Sequence, residues 1–548
     1  MKLSDYKISF VIICISSLIF TFNLFVHAGE PATFDGSTHI TTLYQVAEGL
    51  KSGEFPVTWL QKFAHYGSPI PLYAHQTTMY FGAVISLFLK DPVLSSKILA
   101  FIFSVIGGWG MYLLLRRHTD PLPALVGSIL FMFAPYRILN TYVRGALPEF
   151  AAQSLAPYLL LSIHMFINSR EFRSLVFITI ITALLVLTHT FMIVITAPFA
   201  LLYTLAARPT MRQAIILGIA GILGIALAGY YIVPLITEIN YFYYGLEPNH
   251  YKEGQFLQLK NFLSSTWPYI TETDRFTRPH VLLGGLLEGI IVLFSTAYYT
   301  LIKRPHNLSL PFVSLLASLI YIILMLPISE PLYQASSFLG NIQHPWRMMA
   351  GYSLAVSILA AHILHEVRAR KAQALISIAL CSLVMFLAAP QLYAKNYTLY
   401  PISHYAFTKE NLHGNPMVTL WAGEPEDYPR VKDSIRTIEG SAKIQQLLYE
   451  NTRREYHIRV DSDARFVSYT FYFPGWHVKS NGREVPIEFQ DINYRGLTTF
   501  KLPKGDHRVL IEFVPTKKRM LGFAFSASAL VMILLSSVVY KKYEKIIN

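Results

Sequence analysis

The chain has 548 residues, 53% of them hydrophobic and only 14% charged. Soluble domains carry about 25% charged residues, so this composition, with a mean hydropathy of +0.39, excludes a string of soluble domains. The net charge of +13 does not argue for nucleic acid, because the lysines and arginines gather in short clusters between apolar runs, as membrane topology requires.

In chain order, Lys2 and Lys7 precede an uncharged run from Ile8 to Ala28. Val26-His27-Ala28 loosely resembles a signal-peptidase site, but the run is long enough to span, so it reads as an uncleaved first helix. Apolar runs at 8–27, 93–115, 121–136, 150–167, 174–188, 190–207, 213–237, 281–302, 309–328, 348–364, 374–393 and 519–540 predict about twelve spanning helices. In lipid such runs must be helical, since their backbone has no water to bond. Cys14 and Cys381 both lie inside these runs, so the polar segments hold no disulfide framework and no thiol metal site.

Alternating from a cytoplasmic N-terminus puts Arg116-Arg117, Arg170 with Arg173, Arg208 with Arg212, Lys303-Arg304 and Arg368 with Arg370-Lys371 inside, along with the tail Lys541-Lys542 and Lys545. Every inside connection is then basic. The apolar stretch Thr77 to Leu89 is too short for a comfortable span, and counting it would invert the later loops. It therefore reads as a helix at the outer interface. The expectation is a multi-pass protein of the cytoplasmic (inner) membrane with both termini cytoplasmic and an extracytoplasmic active face. Residues 1–393 form the membrane domain, with a first outer loop at 28–92. Residues 394–517 form an extracytoplasmic domain, and 518–548 the last span and its basic tail.

The outer side collects segments 28–92, 137–149, 238–280, 329–347 and 394–517. The first holds Phe34-Asp35-Gly36-Ser37-Thr38-His39, followed by an amphipathic helical pattern over Ser37 to Leu50. Asp35 fits a helix N-cap as readily as a reactive carboxylate. The second runs from Tyr136-Arg137 to Arg144-Gly145-Ala146-Leu147-Pro148-Glu149. Its arginines run against the charge rule and read either as a surface Arg–Glu loop or as an anion site, since guanidinium suits phosphate. His189, at the outer end of the fifth span, is a packing histidine or a polar participant. Glu288, toward the outer end of the eighth span, is costly in lipid and either functional or paired with an outer-loop arginine. Gln343-His344-Pro345-Trp346-Arg347 offers an interfacial tryptophan and another arginine able to meet a lipid phosphate.

Between 394 and 517, the stretches 455–460, 465–473, 485–489, 498–502 and 508–513 are rich in β-branched and aromatic residues. Pro474-Gly475, Asn481-Gly482 and Lys504-Gly505-Asp506 separate them. Asn-Gly suits a tight hairpin turn, and a small β-sandwich is the simplest architecture. Its role reads as lid, spacer or carbohydrate contact. Few other charges interrupt the spans, whereas ion-coupled transporters tend to carry charged or broken helices near the midplane.

Taken together, Phe34-Asp35 with His39, Gly53-Glu54-Phe55-Pro56, Tyr66-Gly67-Ser68-Pro69, Arg144 to Glu149, Leu187-Thr188-His189, Gln343 to Arg347, Tyr472-Phe473-Pro474-Gly475-Trp476 and Asn481 to Pro486 resemble the GT-C class of integral membrane glycosyltransferases. The resemblance is nearest to the YfhO-like proteins and to those described as 6-pyruvoyl-tetrahydropterin synthase related membrane proteins, although no pterin-synthase metal motif is visible. It implies transfer of a sugar from a polyprenyl phosphate or diphosphate carrier to a glycan, lipid or protein acceptor at the outer face. It also implies that Asp35, in the first outer loop, acts as base or metal ligand, and that Glu149 assists. Asp35 is followed by Gly36 rather than a second acid, so a divalent ion stays an open alternative and no cofactor is required. Tyr73-Ala74-His75-Gln76-Thr77 replaces the usual Tyr-Pro-Pro-like helix start.

On this reading Asp35, Glu149 and His39 are the catalytic candidates. Arg144, Arg347, Arg137, His344 and His189 are the substrate-binding ones, with Arg144 and Arg347 facing the departing lipid phosphate. Membrane lipids are expected partners and nucleic acid is not. A lipid or polysaccharide transporter and a non-catalytic envelope assembly protein remain alternatives. The first would depend more on Glu288 than on Asp35, the second on 394–517.

Overall fold

A computed structural model describes residues 3–61, 66–243, 255–263, 285–302, 309–406, 419–422 and 434–547. The helices are α1 (Leu3–Val26), α2 (Gly36–Lys51), α3 (Gln76–Leu89), α4 (Pro92–Leu115), α5 (Pro121–Met132), α6 (Pro135–Ile138), α7 (Leu147–Ser169), α8 (Phe172–Thr188), α9 (Thr190–Ala206), α10 (Met211–Leu227) and α11 (Gly229–Glu238). They continue with α12 (Leu286–Ala297), α13 (Leu310–Met325), α14 (Glu330–Ala335), α15 (Ser337–Gly340), α16 (Met349–Glu366), α17 (Arg370–Ala388), α18 (Ile402–Ala406) and α19 (Lys517–Ile547). The strands are β1 (Glu30–Pro31), β2 (Tyr397–Thr398), β3 (Ile435–Tyr449), β4 (Arg453–Phe471), β5 (Trp476–Ser480), β6 (Arg483–Val485), β7 (Leu497–Leu502) and β8 (Gly505–Phe513).

This is a mostly helical membrane protein with a C-terminal β region. By length and composition, six described helices are able to cross a membrane, or up to nine if three bent pairs each count as one span. The other three expected spans coincide with shorter apolar helices, Phe172–Thr188, Thr190–Ala206 and Leu286–Ile302, so length alone does not establish twelve crossings. The bends follow the sequence. Pro135 and Pro327 each open the second half of a pair, where a missing backbone N–H is tolerated. Those pairs bend by 43° and 79°. Buried serines do not break the spans, because Ser295, Ser314, Ser318 and Ser357 each donate to the carbonyl one turn back. Asp91 caps α4 by accepting from the Leu94 N–H at 2.9 Å.

The core lies where α4, α5, α7, α13 and α16 pack together. Helices α17 and α19 lie outside it, with Ile378, Phe386, Met532 and Leu535 exposed, as lipid-facing helices require. The expected basic connection Lys303-Arg304 and most of segment 238–280 lie outside the described residues.

The β region is the part expected as a small sandwich. It is one antiparallel sheet of order β3-β4-β8-β5-β6, with β7 pairing β4 beyond the end of β8. The stretches 455–460 and 465–473 belong to one long strand, β4. Its first half pairs β8 and its second half pairs β7, so a single strand links the two parts of the sheet. Strand β3 was not among the expected strands. It is a largely exposed edge, and its side chains carry no buried apolar alternation to read. Asn481 and Gly482 both adopt positive φ, 48° and 81°, as the β5–β6 hairpin turn requires.

The sheet rests on the first outer loop, 28–92, at its stretch between α2 and α3. Trp59 sits 5.1 Å from both the Trp476 and Phe513 rings. The Phe471 N–H donates to the Tyr66 carbonyl at 2.9 Å. Strands β1 and β2 pair with each other, tying the start of that loop to the chain after α17.

Candidate active site

Two loops at the β-region end of the helix bundle are held together by backbone. The Asp35 N–H donates to the Arg144 carbonyl at 2.7 Å, and the Phe34 N–H to Val143 at 3.2 Å. Gly145 permits this approach. Its φ is +67°, and a Cβ there would come within 2.3 Å of Thr33 Oγ1 and 2.7 Å of the Gly36 nitrogen. Asp35 does occupy the N-cap position of α2, yet its side chain makes no capping hydrogen bond. Its carboxylate instead lies 3.8 Å from Arg144 Nη2 and is 48% exposed.

Glu149 is the opposite kind of carboxylate. It sits in the first turn of α7, where the helix dipole favours negative charge, and its side chain is 1% exposed. Tyr136 donates to Oε1. Arg144 Nη1 donates to Oε2 at 2.7 Å and to Asn140 Oδ1 at 2.7 Å. Arg347 Nε lies 3.6 Å from that same Oε2, and His189 Nε2 3.9 Å away. Arg144 thus bridges the buried acid and the exposed one. Burial works against its charge, but Glu149, with Tyr136 and Asp35, outweighs burial and holds the guanidinium protonated above its ordinary value.

An aromatic frame fixes the arginines. The Arg144 guanidinium lies 4.9 Å from the Trp346 ring centroid, and His344 stacks on the same ring at 4.6 Å. Arg347 Nη1 donates to the Ile342 carbonyl at 3.0 Å. His189, between α8 and α9, stacks at 4.8 Å on His75, whose ring lies 6.1 Å from His39. Desolvation lowers the His39 imidazole below its ordinary value, opposed by Asp35 and reinforced by Arg144. His75 is lowered further, by desolvation and then by His189, His39 and Arg347 against the pull of Glu149. A cleft flanks this pairing of loops, touching Thr33, Gly36, Asn140 and Gly145.

Of the residues singled out in the sequence, Asp35, Glu149, Arg144, Arg347, His189, His344 and His39 gather here. Arg137 does not join them. Its side chain points into the bundle, 4.8 and 4.2 Å from the Phe131 and Phe150 rings, and donates to Ser154 at 3.0 Å. Glu288 is also elsewhere and makes no ion pair with any described arginine. Tyr136, Asn140, His75 and Trp346 belong to the site without having been assigned to it. The signal available was their position in the motifs already noted. Among the described residues no three or more His, Cys, Asp or Glu side chains are grouped to hold a metal ion. Glu149 is taken up by Tyr136 and Arg144, so a divalent ion shared between it and Asp35 does not fit this donor set.

Residues 77–394 match the model of a family described as the 6-pyruvoyl-tetrahydropterin synthase related domain, a membrane protein. The chain belongs to this family. A curated relative, an uncharacterized protein of Lactococcus lactis subsp. cremoris (strain MG1363), is 24% identical over 342 residues, covering 58% of this chain and 53% of that one. The chain therefore spans about half the length of this relative. Among solved structures, the mycobacterial arabinofuranosyltransferase AftD aligns at 16% identity and a TM-score of 0.45, over 70% of this chain and 27% of that one. The Archaeoglobus fulgidus oligosaccharyltransferase aligns at 15% and 0.41, over 72% and 56%. ArnT from Cupriavidus metallidurans aligns at 11% and 0.28, over 64% and 76%.

Proposed function

We propose that the protein is a membrane glycosyltransferase that moves a sugar from a polyprenyl-phosphate-type lipid to an acceptor hydroxyl at the extracytoplasmic face of the cytoplasmic membrane. One observation carries this reading. A half-exposed carboxylate, Asp35, faces a guanidinium, Arg144, that a fully buried acid holds in place. The pair sits at the end of an apolar helix bundle, the level at which a lipid carrier presents its phosphate. In the reaction the acceptor oxygen bonds to the anomeric carbon as the bond from that carbon to the phosphate oxygen breaks. Asp35 takes the hydroxyl proton. Arg144 and Arg347 stabilise the negative charge left on the lipid phosphate. Glu149 is a positioning residue here rather than a base, since its oxygens are occupied by Tyr136 and Arg144. His39 and His75 line the approach.

The test is transfer from radiolabelled polyprenyl-phosphate sugars, offered one at a time to membranes containing the full-length protein. Asp35→Asn is expected to lower transfer by about 10²–10⁴-fold, the usual worth of a general base, with unchanged abundance in the membrane. Transfer near the wild-type rate would remove Asp35 from the reaction. Normal transport of a lipid-linked sugar without bond formation would favour a transporter instead.

A further inference from the structure

Glu288 is a second buried carboxyl, and the contrast with Glu149 is informative. It lies in the first turn of α12, is 5% exposed, and its Oε2 has no hydrogen-bond partner. No described cation stands beside it. The Ser353 hydroxyl, on α16, is buried and lies close enough to interact with the carboxyl. The Glu288 Oε2 atom is left unsatisfied. Buried polar groups in folded proteins are almost always paired, so this spot calls for a partner from outside the described chain.

The same carboxyl lines a crevice between α5, α6, α12 and the end of α17. Apart from Gln391, its other walls are apolar, among them Leu130, Ala134, Pro135, Leu286 and Leu387. Beside it, α12 and α17 expose Leu293, Phe294, Leu383 and Phe386, the surface expected to meet lipid tails. The crevice is separate from the cluster around Glu149: the turn of α6 sends Tyr136 to that cluster and Pro135 and Ile138 to the crevice.

The donor set defines the ligand. With no described cation beside it, a charged carboxylate is too costly in a largely apolar wall, so the group sits there neutral. A neutral carboxyl and the Gln391 amide, the polar groups that line the crevice, both donate and accept. They match an uncharged hydroxyl head and offer nothing to a phosphate. The apolar walls match a hydrocarbon chain. We propose that this crevice is a binding site for a neutral lipid alcohol, an apolar chain ending in an uncharged hydroxyl-bearing head. The site does not depend on the protein's being a glycosyltransferase.

The test uses the full-length protein in lipid nanodiscs and a long-chain alcohol bearing a diazirine. Controls are the same chain ending in a methyl group and in a primary amine. The alcohol is expected to label peptides containing 130–138 and 384–391 about tenfold more than the methyl-ended chain, the worth of one buried hydrogen bond. Glu288→Leu should lower this labelling about tenfold, while Glu288→Gln, which still donates and accepts, should keep most of it. Equal labelling by the methyl-ended chain would overturn the proposal, as would unchanged labelling in Glu288→Leu. Preferential amine labelling that Glu288→Gln abolishes would also overturn it, because the carboxyl would then act as an anion. Leu387→Trp, which fills the crevice and spares the acid, should also remove the label if Glu288→Leu does not fold, and undiminished labelling there would count against the site. Competition with diacylglycerol and with a polyisoprenoid alcohol identifies which lipid supplies the hydroxyl, and displacement by neither would refute the assignment.

Discussion

Asp35 and Glu149 are both acids beside one arginine, and exposure separates their roles. Glu149 is almost wholly buried and accepts from Tyr136 and Arg144, with Arg347 also within ion-pair range. Removing its charge takes the nearer counter-ion from Arg144, which keeps only the half-exposed Asp35, and the described one from Arg347, in a low-dielectric setting. Glu149→Gln should therefore cost about 3–5 kcal/mol of stability, the usual penalty for breaking a buried pair, read as a lower thermal midpoint of the purified protein. Asp35→Asn, at a half-exposed position, should leave that midpoint nearly unchanged. A double variant with Arg144→Leu should lose less than the two single changes added together, and strict additivity would show that the pair is not coupled. Much of this site was legible in the sequence, because Asp35, Arg144, Glu149 and Arg347 are formal charges where apolar context makes charge costly. Tyr136 and Asn140 were not, since a tyrosine or an asparagine in an aromatic-rich membrane chain carries no sign of which group it bonds. Arg137 was placed with the wrong neighbours for a related reason. Charge alone does not say which way a side chain leaves a short turn, and the Phe131 and Phe150 rings take it into the bundle.

At the scale of elements, the site is an intersection. His39 comes from α2, His75 from the start of α3 and His189 from the break between α8 and α9, and their rings line up within 6.1 Å of one another in sequence of contact. The apolar runs made these helices readable, and the Pro and Gly signals made their breaks readable. Edge strand β3 was hidden because nothing buries its side chains. The convergence of three histidines was hidden as well, since it depends on how distant elements pack. It has a pH consequence. His39 and His75 have folded values below their ordinary 6.5, so below about that pH the unfolded chain binds more protons than the folded one. Their contribution is fully present above pH 6.5 and is lost as the pH falls toward the folded values. The thermal midpoint should therefore fall between pH 7.5 and 5, and His75→Gln should flatten that fall. An identical slope in the variant would exclude His75 as a source.

At the scale of the whole molecule, the first loop, the β region and the last helix are fastened at one buried point. Glu238, at the end of α11, accepts from Tyr73 at 2.6 Å, from Arg519 Nε at 2.9 Å and from Thr516 at 2.7 Å. Arg519 also donates to the Pro474 carbonyl at 2.8 Å, at the turn before β5. The ion pair is nearly inaccessible, with side-chain exposures of 3% and 1%. Arg519→Met should cost about 3–5 kcal/mol because it strands the Glu238 carboxylate. The double change with Glu238→Leu should cost less, since it removes the stranded charge and leaves only the Tyr73 and Thr516 hydroxyls to find other partners. The fastening also reaches the candidate site. Tyr73 lies two residues before His75, which stacks on His189 beside Glu149. If Glu238 holds Tyr73 and so sets His75, transfer activity should fall in Tyr73→Phe, which removes one hydrogen bond and little else, while the thermal midpoint drops only slightly. Full activity in Tyr73→Phe would confine the cluster to holding the last helix against the β region.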